Sequence, residues 1–103
     1  PPVNNTTVDF TKTIGNLYFQ EKDHYDLMSK KIRYFLEKVR SEYWMDTTIL
    51  NEDFSRKLQA KTGKSEEKVR LVIQLIQKHQ KQTTATEADL IALNDAINQL
   101  LEN

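Results

Sequence analysis

From residue 6 onward the apolar positions recur at intervals of three, four and seven, the spacing that gathers side chains on one face of an α-helix. Phe10, Ile14, Leu17 and Tyr18 form the first such stripe. Thr6 with Asp9 opens it as a capping pair, hydroxyl and carboxylate each taking an orphan backbone N–H. Gly15 lies inside this segment and reads as a close-packing site or a local bend. Asp23 with Asp26 repeats the opening signature before the longest stripe, Tyr25, Met28, Ile32, Phe35, Leu36, Val39 and Tyr43. The other face of that helix is charged. Asp26/Lys30, Arg33/Glu37 and Lys38/Glu42 are opposite-sign pairs four apart, as suits a solvated surface.

Trp44, Met45, Ile49 and Leu50 then cross a short connection. Left in solvent they would make an apolar patch, so they are expected to plug the core. Asn51 caps a short third helix carrying Phe54, Leu58 and Ala60, which ends at Gly63, the residue type a left-handed C-terminal cap favours. Ser65 caps a fourth helix with Val69, Val72, Ile73 and Ile76 inward. Leu71 and Leu75 add apolar surface on its second side, as expected of a central helix or of one that docks a partner. After a polar break, Thr86 and Asp89 open a fifth helix with Leu90, Leu93, Ile97, Leu100 and Leu101 inward. The expectation is therefore an all-α, compact bundle of about five helices.

Composition narrows the class. At 103 residues the chain is one small domain with room for one modest core. Both prolines are at the extreme N-terminus and the two glycines are Gly15 and Gly63, so the breakers that punctuate β structure are missing. Nine aromatics and a full aliphatic set argue for folding rather than disorder. No Cys is present for a disulfide framework or thiolate metal site, and no apolar run approaches the ~20 residues of a bilayer span. Formal charge is zero, which removes the simplest nucleic-acid signature. Charge is nonetheless segregated: Arg56 to Lys81 is basic, whereas Gln82 to Asn103 holds acids and no base.

Candidate chemistry is sparse. Glu21, Asp23, His24 and Asp26 hold the usual ligand types of a Cys-free metal site. Capping and the helix macrodipole account for Asp23 and Asp26 without a metal, and His24 suits a structural hydrogen bond. His79 is the second and last histidine, and no HExxH-like pair exists. None of Ser29, Ser41, Ser55 and Ser65 sits in a glycine-flanked elbow. Gly63-Lys64-Ser65 echoes the end of a phosphate-binding loop, but position 58, where its first glycine belongs, is Leu. No catalytic, cofactor or metal residue is assigned. A sharper alternative is DNA binding, since the third and fourth helices with Gly63 between them resemble a helix-turn-helix and Lys64, Lys68, Arg70 and Lys78 could meet phosphates. Glu66 and Glu67 oppose it, because they put negative charge where base edges would lie.

The run Gly15-Asn16-Leu17-Tyr18, followed by Asp23-His24, Leu27, Lys31 and Phe35, resembles the C-terminal cytoplasmic segment of bacterial membrane proteins whose main region is a glutamine-amidotransferase-like domain of unknown function. The likeness extends through Val39-Arg40, Tyr43, Thr47 and the Leu58 to Val69 turn. It implies that residues 1–5 are a linker from a preceding membrane segment and residues 6–103 a single helical domain on the cytoplasmic face of the bacterial inner membrane. It also implies a protein partner, with a MoxR-type AAA+ ATPase system as the candidate. Combined with the pattern, this gives the expectation of a non-enzymatic protein-interaction or regulatory domain. Leu71 and Leu75 are its interaction residues, and Gly15, Asp23, His24 and Gly63 its structural ones. A nucleic-acid module using Lys64, Lys68 and Arg70 within the basic segment 56–81 is the alternative.

Overall fold

A computed structural model of the chain describes residues 23–102. Among them are four helices and no strand: α1 His24–Tyr43, α2 Glu52–Thr62, α3 Glu66–Gln80 and α4 Glu87–Leu101. They correspond to the second to fifth predicted helices. The first predicted helix, with Gly15 and Glu21, lies outside the described residues.

Each helix starts where a side chain can accept a backbone N–H that the helix itself leaves unpaired. Asp23 accepts from Asp26 at 2.9 Å, Asn51 from Phe54 at 2.9 Å and Ser65 from Lys68 at 3.2 Å. At α4 the exchange is reciprocal, with Asp89 N–H on Thr86 Oγ1 and Thr86 N–H on Asp89 Oδ2, both at 3.1 Å. These contacts hold the Asp89 carboxyl below the ordinary carboxylate range, mainly through the Thr86 backbone N–H. Two helices end in a left-handed turn. Gly63 has φ 73° and returns its N–H to Gln59 O, and Trp44, with φ 57° and ψ 44°, returns its own to Arg40 O.

The core draws on all four helices: Leu27, Met28, Ile32, Phe35 and Val39 of α1; Phe54 and Leu58 of α2; Val69, Val72, Ile73 and Ile76 of α3; and Leu90, Leu93, Ala96, Ile97 and Leu100 of α4. α3 packs against each of the other three, so its expected central place is observed. With α4 it makes an antiparallel hairpin. Lys78 Nζ reaches Asp89 at 3.7 Å at one end, and the Lys64 ammonium donates to the Glu102 carbonyl at the other.

Two expectations need correction. Met45 is buried and Leu50 half-buried against the core, but Trp44 is 86% exposed and Ile49 66% exposed, so these two do not plug it. The left-handed residue at position 44 is the cause, because it turns the chain off the α1 stripe one residue after Tyr43. Ala60, expected on the inner stripe of α2, is exposed.

Several polar residues are inside. Lys31 is 1% exposed, and its ammonium donates to Asn98 Oδ1 at 2.7 Å and lies 5.6 Å from the Tyr34 ring centre. Ser55, His79 and Asn94 are buried too, and Asn94 Oδ1 has no hydrogen-bond donor among the described residues.

Candidate interaction surface

The connection between α1 and α2 is tied down at several points. Met45 is anchored in the core, Arg40 Nη1 donates to Thr47 Oγ1, and Gln77 Nε2 of α3 donates to Leu50 O at 3.0 Å. Asp46 folds back on its own loop, accepting the Thr48 N–H at 2.8 Å. The Thr48 hydroxyl first, and its N–H second, keep the Asp46 carboxyl below the usual range. Trp44 and Ile49 are thus presented to water by a loop held in place on either side of them.

Beneath them is an open cleft of about 430 Å³, within the size range of ligand-binding depressions. Its apolar wall is Trp44, Met45, Ile49 and Phe54, and Lys57 and Lys61 of α2 reach it together with Asp46 and Asp53. Asp53 is spoken for, with Lys57 Nζ at 3.1 Å and Arg56 Nη2 at 3.7 Å. Lys61 makes no ion pair among the described residues. Sequence reasoning read Trp44 and Ile49 as core. The available signal was position, since both fall after the end of the α1 stripe and before the Asn51 cap.

The residues singled out from the sequence are spread over the bundle. Leu75 is half-buried against the core, while Leu71, one turn earlier on the same side of α3, is 47% exposed. Of the basic set, Arg70 is held by two acids, donating from Nε to Glu66 and from Nη2 to Glu52, each at 2.8 Å. Lys64 is on the Glu102 carbonyl, Lys78 is near Asp89, and Lys68 is exposed. α2 and α3 are joined by the three residues 63–65, as the helix-turn-helix resemblance expects, with Gly63 in the left-handed conformation.

Asp23 is the α1 cap. His24 is half-buried at the first turn and lines a shallow depression with Tyr25 and residues 83–85. Among the described residues no three His, Cys, Asp or Glu side chains converge as a metal ion would need.

His79 is the polar feature that sequence reasoning left without a place. Its ring stacks on Tyr25 at 3.9 Å between centroids, and Nε2 lies 3.2 Å from Ser29 Oγ and 3.1 Å from Tyr25 O. A serine and imidazole at this distance invite comparison with a nucleophile and its base. The Ser29 hydroxyl also donates to Tyr25 O at 3.1 Å, the bond a helical serine commonly makes to the carbonyl one turn back, so hydroxyl, carbonyl and ring share one local network. The trio ties α1 to the end of α3, and the Tyr25 hydroxyl adds a bond to His79 O at 3.3 Å.

Taken together, the described residues form an all-helical domain whose most distinctive surface is an open cleft lined by apolar and charged side chains. The family model for the DUF4350 C-terminal helical domain matches residues 11–103, and the chain belongs to that family. No curated protein and no solved structure matches it. No helix among the described residues is long and apolar enough to cross a membrane.

Proposed function

We propose that this chain is a non-enzymatic protein-interaction or regulatory domain, and that it serves a bacterial membrane protein from the cytoplasmic face of the inner membrane. One observation carries the interaction reading. Trp44 is an L-residue held in the left-handed region, at a cost of about 1–2 kcal/mol, and it spends that strain on facing water. Backbone strain and exposed aromatic surface tend to occur together where a protein meets a ligand or partner. Leu71 of α3, 47% exposed, is a further apolar position, with Leu75 half-buried one turn on. The membrane-protein parent, its amidotransferase-like region and a MoxR-type AAA+ ATPase as the partner system come from the sequence resemblance alone.

Engagement of Arg70 and Lys64 within the fold favours a protein partner over nucleic acid. The test is co-purification of the intact parent protein from its own membranes, with nuclease, at salt rising to about 0.5 M, where exposed charges are screened. A defined partner that survives these conditions and is lost from Trp44→Ala or from Leu71→Asp with Leu75→Asp is the expected result. Nucleic acid alone, released steeply with salt, would replace this reading with one built on Lys64, Lys68 and Arg70.

A further inference from the structure

The charged side chains around the Trp44 cleft are balanced, Asp46 and Asp53 against Lys57 and Lys61, so neither an acidic nor a basic partner is preferred. Their order along α2 carries more information than their sum. Asp53, Lys57 and Lys61 are four residues apart on one exposed stripe, with the acid at its N-terminal end and an ammonium at its C-terminal end. Two copies related by a twofold axis meet through the same patch, so such a contact must be its own complement. If α2 of one copy runs antiparallel to α2 of another, centred on Lys57, Asp53 of each copy faces Lys61 of the other. Lys61 has no acid of its own among the described residues. Asp53 holds its own Lys57 at 3.1 Å and Arg56 at 3.7 Å, and its exposed carboxylate has acceptor sites to spare. Lys57 meets its counterpart at the axis, with its charge offset by the Asp53 of its own copy.

We propose that the Trp44 face is a twofold contact between two copies of this chain, α2 antiparallel to α2, with Asp53 paired to Lys61 across it and the exposed Trp44 and Ile49 of each copy covered by the other. The proposal rests on the interaction reading above and names the partner of this face. Formal charge is zero, so copies approach without the net repulsion that keeps strongly charged chains apart. Burial of the indole and of Ile49 supplies the attraction, and the ion pairs fix the register. A specific contact buries about 1,000 Å² or more in total. Trp44, 86% exposed, offers about 200 Å² per copy, and Ile49 and the charged stripe add to it. A contact at this end of the size range is weak, with dissociation constants expected in the micromolar to submillimolar range.

The test is analytical ultracentrifugation of the 103-residue chain from about 10 µM to about 1 mM. A monomer–dimer equilibrium is expected, with a blue shift in the emission of the chain's single tryptophan, Trp44, as the dimer forms. Trp44→Gly should associate at least about tenfold more weakly. Charge exchange then tests the pairing. Asp53→Lys sets base against base and Lys61→Glu acid against acid at both facing pairs, so each variant alone should also associate at least about tenfold more weakly. Mixed in equal amounts, the two variants regain opposite charges at both pairs and should form a heterodimer near the parental affinity. Circular dichroism checks that each variant folds, and the milder Asp53→Asn and Lys61→Gln should weaken association in the same direction. A chain that is monomeric throughout, parental association in both charge variants, or a mixture no tighter than its components would overturn the proposal. So would dimers that survive Trp44→Gly, or a monomer whose Trp44 emission moves only with lipid vesicles. If the chain stays monomeric while a co-purified partner still depends on Trp44, the second copy is the wrong occupant and the interaction reading stands.

Discussion

Replacing Trp44 by glycine separates what this residue does for the fold from what it does at the surface. In the left-handed region glycine has no Cβ penalty, so the exchange relieves about 1–2 kcal/mol. Against that, glycine gives the unfolded chain more freedom, a loss of about 0.5–1 kcal/mol. The remaining term is packing. An indole residue presents up to about 250 Å², and at 86% exposure only about 35 Å² of it is covered, worth about 0.9 kcal/mol at ~25 cal/mol per Å². The three contributions nearly cancel. Trp44→Gly should therefore unfold in urea within about 1 kcal/mol of the parent, followed by far-ultraviolet circular dichroism because the fluorophore is gone. Its melting midpoint should move by less than ~8 °C. Phe35→Ala, which empties a fully buried site of α1, supplies the scale with a loss of about 3–5 kcal/mol. A loss above about 2 kcal/mol in Trp44→Gly would show that the indole is structural, and the argument that its strain serves a surface would fall.

Three further outcomes follow from the geometry. Gly63→Ala should cost about 1 kcal/mol from backbone strain alone, since a Cβ there meets nothing within 4 Å, and Gly63→Asn should recover part of it; equal stability of all three in urea would contradict the left-handed cap. Asn94→Leu should stabilise by about 1 kcal/mol, because it removes a buried carbonyl oxygen that has no donor among the described residues, and a measured loss would mean the amide has a partner. Asp89→Ala should destabilise by about 1 kcal/mol at pH 7 through loss of the cap and of its charge at the α4 N-terminus. The Asp89 carboxyl titrates below its unfolded value, so its ionised form favours the fold above about pH 4 and that contribution disappears as pH falls through the lower, folded value. The gap between parent and Asp89→Ala should accordingly narrow below about pH 4, and a gap constant from pH 7 to 2 would refute the assignment.

Much of the architecture could be read locally because capping is a local interaction. Asp23, Asn51, Ser65 and Thr86 each begin a helix as their side-chain chemistry requires, and Gly63 ends one. Hydropathy misled where phase and hydropathy disagree. Lys31 is four residues from both Leu27 and Phe35 and so shares their buried side, although its charge marks it as exposed. His79 follows Val72 and Ile76 at helical spacing, and Asn94 follows Leu90. Phase placed all three inside. Trp44 and Ile49 failed in the opposite sense, since no helical phase governs a loop and apolar character alone put them in a core that the turn at position 44 leads away from. The cleft was hidden for the same reason: it is built within residues 44–61, and only the turn at position 44 brings Trp44 and Ile49 out beside Lys57 and Lys61.

The length of α1 sets a mechanical property of the bundle. The Asp23 cap and the Trp44 cleft are at opposite ends of a 20-residue helix, a separation of about 30 Å. That helix holds neither proline nor glycine, and its flank is pinned to α3 through the Tyr25, Ser29 and His79 contacts and to α4 through Lys31 and Asn98. It behaves as a strut rather than a hinge. A displacement applied at its Trp44 end is therefore carried along α1 to its Asp23 end as the movement of one rod rather than as bending.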